Sequence, residues 1–366
     1  MNITGKARLA AVTIVGALAL AACGSDGGSS ASSSAGSSSD SNCVSGSIKA
    51  SGSSAQKNAM AEWINAYQKS CNGATIDYQA NGSGAGIKDF INKQTAFAGS
   101  DSALKEQDKT DADARCAAGP AIDIPMVGGA IVMAYNVSGV DKLVLTPDVI
   151  AGIYNGSITK WNDPKITAIN SGVALPDATI AAFHRSDSSG TTDNFTKYLA
   201  ATAGSTWTYK NAKDWPAAIK SGQGAKGSDG VTSSVKTTAN SIGYMELSFA
   251  KDAKLTTASV DNGGGPIEAT SANAAITIAA ATVTGTGNDL ALKIDYTTKT
   301  GYPIVLVTYE ITCEKGLDAA LVPLTKSFLT YTAGDEAQGK LTELGYVPIT
   351  GDLLTKVRTA VSSISA

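Results

Sequence analysis

From residue 43 onward the apolar positions switch repeatedly between a two-residue and a three-to-four-residue spacing, the signature of strands alternating with helices. Residues 47–50 read as a short strand. After Ser51-Gly52-Ser53-Ser54, the apolar residues Ala59, Met60, Trp63, Ile64 and Tyr67 recur at helical spacing, with Ser54 placed as the N-cap. A second strand, residues 74–79, runs into Asn81-Gly82-Ser83-Gly84-Ala85-Gly86 and a helix with Ile87, Phe90 and Ile91 on one face. A third, residues 97–100, ends at Asp101. Two longer apolar runs, 122–136 (interrupted by Pro125, Gly128 and Gly129) and 302–311, suit crossovers between lobes. Between them the alternation resumes: a helix near 146–154, a strand over 179–183, a helix carrying Phe195, Tyr198 and Leu199, and a strand–helix stretch over 241–252. Residues 253–300 lack helical period, and runs such as Ile276-Thr277-Ile278 predict strands and loops there. The tail predicts helices over 319–332 and 353–364.

This order predicts an α/β protein of two lobes joined by two crossovers. Residues 43–125 and 304–366 form lobe 1 and residues 126–303 form lobe 2, an arrangement able to close on a ligand by hinge motion.

The first 22 residues have the parts of a secretory signal: Lys6 and Arg8, an apolar core from Leu9 to Leu20, and small residues before Cys23. Leu20-Ala21-Ala22-Cys23 resembles a bacterial lipobox, which implies lipidation of Cys23 and a membrane anchor. Residues 23–42 are almost all Ser, Gly and Ala, a composition that cannot bury enough apolar area to fold, so they are expected to be a tether. The expected location is the outer face of the cytoplasmic membrane.

Removal of residues 1–22 leaves 27 basic against 32 acidic residues, a net charge of −5. A mildly acidic chain has no electrostatic footprint for nucleic acid, and any anion must be bound by local geometry. Four cysteines remain besides Cys23, an even number that in an exported chain reads as two disulfides. Three pairings are open. Cys43–Cys71 is favoured because the start of a first strand and the end of the next helix lie at one edge of a parallel sheet, leaving Cys116–Cys313. One histidine, His184, and no close cysteine spacing argue against a metal site.

The chemistry concentrates in residues 183–195, where Arg185-Ser186-Asp187-Ser188-Ser189-Gly190-Thr191 joins a strand to a helix. Such a loop offers free N–H groups, hydroxyls, the positive end of a helix dipole and a guanidinium fork, which together suit an oxyanion. The plain alternative is a capped helix whose Arg185 pairs with Asp187 at the surface. Ser54, Ser83 and Asp101 also end strands, and in open α/β sheets ligands sit at the carboxyl ends of strands. A phosphatase or phosphotransferase using a serine near Arg185 lacks a visible general base, a Gly-x-Ser-x-Gly elbow, a P-loop and paired metal carboxylates.

These motifs, in this order, resemble the phosphate-binding lipoproteins of Pst-type ABC transporters. The resemblance runs from about residue 48 to the end. It is carried by Gly52-Ser53-Ser54, Gly82-Ser83-Gly84-Ala85-Gly86, Gly99-Ser100-Asp101 and the Arg185–Thr191 loop, supported by Ile153–Trp161, Lys226–Val231 and Ile242–Glu246. It implies a two-lobed periplasmic-binding-protein fold of type II, inorganic phosphate as ligand without a cofactor, permease subunits as partners, a monomer, and no catalysis. The implied phosphate ligands are the Ser54 hydroxyl, the Ala55 N–H, Ser83, Asp101, Arg185, Ser189, Gly190 and Thr191, with Asp187 orienting Arg185. Many relatives carry Thr-Phe where this chain has Ser54-Ala55, a departure that keeps the backbone donor and changes the packing beside it. A carboxylate facing an anion is unfavourable unless the anion donates a proton. Asp101 is therefore expected to accept from the P–OH of phosphate and to repel sulfate, which has none. Arsenate also carries a proton and is not excluded; another oxyanion, or a sensor or adhesin role on the same fold, is the remaining alternative.

Overall fold

The computed structural model describes residues 43–366; the signal over 1–22, Cys23 and the tether over 23–42 lie outside the described residues. Its centre is one sheet whose eight-strand path runs Ala74–Gln79, Gly46–Gly52, Phe97–Ser100, Val305–Cys313, Ala121–Asn136, Ser241–Glu246, Ala181–Arg185, Gln223–Ala225. The first three of these strands are mutually parallel, and each of them is short and followed by a helix.

The two long apolar runs lie side by side at the middle. Val305–Cys313 pairs antiparallel with residues 121–130 of its neighbour, whose residues 131–136 then turn their hydrogen bonds to Ser241–Glu246. The sequence break seen in the first run has a physical counterpart: the register slips between Thr308 and Tyr309, opposite Pro125, which has no N–H for the ladder. All of Val305–Cys313 is buried, as expected for strands covered on both faces. The disulfides are Cys43–Cys71 and Cys116–Cys313, with Cα separations of 5.1 and 5.4 Å.

Two local expectations are corrected. Ser54 does not cap the first helix, which begins at Lys57 with no side-chain cap; the Ser54 hydroxyl instead reaches a distant segment described below. Within 253–300 short strands do occur, but Ser271–Ala279 is a helix. Its Ala-rich sequence and the Thr270 hydroxyl, which accepts from Asn273 N–H at 3.1 Å, outweigh the strand preference of Ile276-Thr277-Ile278. The tail helices are Val322–Thr332 and Gly351–Ser363, with two short ones, Asp335–Gly339 and Leu341–Leu344, between them.

Candidate anion-binding site

The carboxyl ends of the strands on the two sides of the central pair face one another. Gly46–Gly52 ends at Ser53 and Ser54, Phe97–Ser100 at Asp101, and Ala181–Arg185 at the loop that starts the helix Gly190–Thr202. The helix Ser83–Ile91 starts beside them, where Gly82 holds a φ of +104° and packs against Asp187 and Ser188, too tightly for a side chain.

Asp101 is the hub. Its carboxylate accepts from Ser53 Oγ at 2.5 Å, Thr308 Oγ1 at 2.9 Å and Thr191 Oγ1 at 3.0 Å, and its N–H donates to Ser83 Oγ at 3.2 Å. Burial raises the Asp101 pKa, opposed by these hydroxyls and by the Arg185 charge. Three hydroxyl protons directed at one buried carboxylate compensate its lost hydration.

Arg185 is buried at 1% exposure, not on the surface. Its Nε and Nη2 donate to the two Asp187 oxygens at 2.7 and 2.5 Å, a bidentate pair that fixes the guanidinium plane, and Nη1 reaches Thr191 Oγ1 at 3.4 Å. Three of the five donors are thus used internally, leaving two for a ligand. Burial would raise the Asp187 pKa, but the bonds and charge of Arg185 and the Gly227 N–H outweigh it and the net shift is downward. Asp187 therefore stays ionised and holds the arginine in place. At the head of Gly190–Thr202 the Ser189 hydroxyl accepts from Thr192 N–H at 3.2 Å, which leaves the Gly190 and Thr191 N–H groups as the open end of the helix.

The sequence-predicted residues therefore meet: Asp101 touches Ser83, Thr191 and, through Thr191, Arg185. Ser54 and Ala55 stand at the edge of this cluster, each already hydrogen-bonded within the protein. Ser54 Oγ accepts from Ser228 N–H at 3.0 Å, and the Ala55 N–H donates to Ser53 Oγ at 3.0 Å. Sequence reasoning missed Ser53, Thr308 and Ser228 as partners in the cluster. It also missed Asn194, whose amide bridges the carbonyls of Asp101 and Gly190 at 2.7 and 2.8 Å. Ser53 and Ser228 lie inside motifs already singled out, so the signal was the motif; Thr308 and Asn194 had none. His184 stacks on Trp215 at 4.5 Å with Nδ1 against its neighbour's carbonyl, and burial lowers its pKa. Among the described residues no group of three or more His, Cys, Asp or Glu is arranged to hold a metal ion.

Residues 37–336 match the family model of the PBP superfamily domain. The chain is 42% identical to phosphate-binding protein PstS 3 of Mycobacterium tuberculosis over 97% of both chains, and 40% identical to PstS 2 of the same organism over 97% of this chain and 98% of that one. It is 32% identical to phosphate-binding protein PstS of Haemophilus influenzae over 85% of this chain and 91% of that one. Among solved structures, a high-affinity periplasmic phosphate-binding protein (PfluDING) bound with phosphate superposes with a TM-score of 0.70 at 22% identity, covering 86% of this chain and 93% of that one. The phosphate-binding protein from Stenotrophomonas maltophilia gives 0.65 at 18% identity, with 86% and 94% covered. These structural likenesses fix the fold: the mixed α/β, type II periplasmic-binding architecture expected from the sequence.

Proposed function

Because this chain belongs to the PBP superfamily and, within it, to the PstS phosphate-binding proteins, we propose that it is an extracytoplasmic receptor that captures inorganic phosphate and delivers it to an ABC permease. The observation that carries this reading is Asp101, a buried carboxylate set among oxyanion donors: Arg185, the Ser83 hydroxyl and the open end of the Gly190–Thr202 helix. Such a group admits an anion that brings its own proton and opposes one that does not.

The ligand set is Ser54, Ala55, Ser83, Asp101, Arg185, Ser189, Gly190 and Thr191, with Asp187 as the residue that orients the arginine. The Ala55 N–H exchanges Ser53 Oγ for a phosphate oxygen, while the Ser54 hydroxyl, which accepts from Ser228 N–H, donates its own proton to the phosphate. Residues 43–125 with 304–366 act as lobe 1 and residues 126–303 as lobe 2, hinged at the two central strands. Ion pairs span the lobes at Lys57–Asp229 (2.9 Å) and Lys213–Asp108 (2.5 Å). Exposed and half-buried surface pairs of this kind add little affinity but favour one register of closure. A diacylated Cys23 and the tether over 23–42 hold the receptor, a monomer that performs no catalysis, at the outer face of the cytoplasmic membrane.

The test is Asp101→Asn. The amide no longer repels sulfate and can donate to it, so sulfate competes for the site while phosphate weakens. A variant that rejects sulfate as strongly as the parent removes Asp101 from its assigned role.

A further inference from the structure

The start of the helix Gly190–Thr202 carries two adjacent side chains, Asp193 and Asn194, that bond to the turn Asp101-Ser102 across the site. All four residues are buried, at 3% exposure or less. Each of the two side chains is first fixed twice from its own side. Asp193 accepts from Lys197 Nζ at 2.6 Å and from Asn211 Nδ2 at 2.8 Å. One Asn194 amide N–H donates to the Gly190 carbonyl at 2.8 Å, and the amide oxygen accepts from the Tyr296 hydroxyl at 2.5 Å.

Each then makes one bond to the turn. Asp193 Oδ2 accepts from the Ser102 hydroxyl at 2.6 Å, and the other Asn194 N–H donates to the Asp101 carbonyl at 2.7 Å. The amide cannot be turned over, because its oxygen would then face two carbonyls. Burial alone would raise the Asp193 pKa, but the Lys197 and Lys105 charges outweigh it and hold it at about 2, so the Ser102 bond is charge-assisted. The turn is equally preset: Ser100 Oγ accepts from the Ser102 N–H at 3.1 Å and donates to the Ser102 carbonyl at 2.6 Å. On the proposed division, the bonds to Lys197, Asn211, Gly190 and Tyr296 lie within lobe 2, and those to Ser102 and Asp101 cross between lobes. Opening breaks only the crossing pair and leaves both halves shaped to re-form it. Partners preorganised in this way lose little conformational entropy on meeting.

We propose that Asp193 and Asn194 are positioning residues that clasp the Asp101-Ser102 turn as the lobes close, and that this clasp sets how long captured phosphate stays. Neither residue belongs to the ligand set; they act through the turn that carries the Asp101 carboxylate and through the Gly190 peptide at the head of the helix. Bonds made only in the closed state slow release and leave the rate of encounter unchanged. Lys105, 3.7 Å from the same Asp193 oxygen and half exposed, adds little to the clasp. The inference rests on the phosphate reading and on the lobe division given above.

The experiment measures uptake of radiolabelled phosphate by the full chain, and its release into excess unlabelled phosphate, for wild type, Ser102→Ala and Asn194→Leu. Each substitution removes one crossing bond, so each should speed release by about tenfold while the association rate stays within about twofold of wild type. The Ser102 hydroxyl makes no bond within its own lobe, so the Tm of ligand-free Ser102→Ala should move by less than about 2 °C. Release at the wild-type rate in Ser102→Ala overturns the proposal, as does a loss confined to association, or a ligand-free Tm that falls in step with the faster release. If Asn194→Leu fails to fold, Ser102→Ala decides alone, since it leaves every bond within lobe 2 in place. A wild type that takes up no phosphate brings down the receptor reading and leaves the clasp to small-angle scattering. Ligand-free Ser102→Ala should then have a larger radius of gyration than wild type, and equal radii would overturn the clasp.

Discussion

Gly190 packs closely against the opposite side of the site, and Gly190→Ala separates closure from folding. A methyl group on its Cα would stand 2.7 Å from Asp101 Cβ, 2.7 Å from Ser83 Oγ and 2.9 Å from Asp101 N. Carbon atoms in favourable contact sit about 3.5–4.0 Å apart, so the overlap with Asp101 is close to ~1 Å. Two of the three obstacles are backbone or Cβ atoms that no rotamer change can move. Overpacking of this kind costs about 1–3 kcal/mol, or roughly five- to 150-fold in an equilibrium constant. On the proposed division Asp101 and Ser83 belong to lobe 1 and Gly190 to lobe 2, so opening the cleft between them would relieve the clash. The cost therefore falls on the closed, liganded state. Titration calorimetry should show phosphate binding weakened by about tenfold to a hundredfold, while the Tm of the ligand-free protein moves by less than about 2 °C. An unchanged Kd, or a ligand-free Tm that falls in step with the lost affinity, would refute this reasoning.

Arg185→Lys keeps the charge and removes the fork that engages both Asp187 oxygens; phosphate affinity measured by calorimetry should drop at least about tenfold, with the fold retained in circular dichroism. Asp193 is buried, yet Lys197, Lys105 and the Ser102 hydroxyl outweigh the upward effect of burial and hold its pKa at about 2. A depressed carboxylate pKa contributes stability that is present above the unfolded value near 4 and is lost as the pH falls towards 2, about 2 kcal/mol here. Denaturant unfolding of Asp193→Asn should accordingly lose the part of the acid-side slope that wild type shows between about pH 4 and pH 2. The disulfides close loops of very different size, with sequence separations of 197 and 28 residues. On the chain-entropy account, removing Cys116–Cys313 costs about 5 kcal/mol and removing Cys43–Cys71 about 3.5 kcal/mol, an order that paired Cys→Ala variants test by thermal unfolding.

The parts of this protein legible in its sequence are those whose signal is local and repeated. Strands ending in small-residue turns at residues 54, 83 and 101 followed from hydrophobic period, and the rule that ligands sit at strand ends made Ser54, Ser83 and Asp101 candidates to converge on one point. What escaped was choice among partners. The Ser54 hydroxyl can accept from its own helix or from Ser228, 174 residues away, and only tertiary packing decides. Thr308 looks like any β-branched residue of a buried strand; its role comes from the register that sets it beside Asp101. Ile276-Thr277-Ile278 reads as a strand, but alanines on either side and a threonine cap make it a helix, with Ile276 left 48% exposed.

The central claim is that this chain binds phosphate and selects it by the proton that phosphate carries. The direct measurement is calorimetric titration of the ligand-stripped protein with phosphate and then with sulfate near neutral pH. The account predicts tight one-to-one binding of phosphate and no heat from sulfate. Sulfate bound as well as phosphate would contradict the role of Asp101, and no binding of either would contradict the receptor reading as a whole.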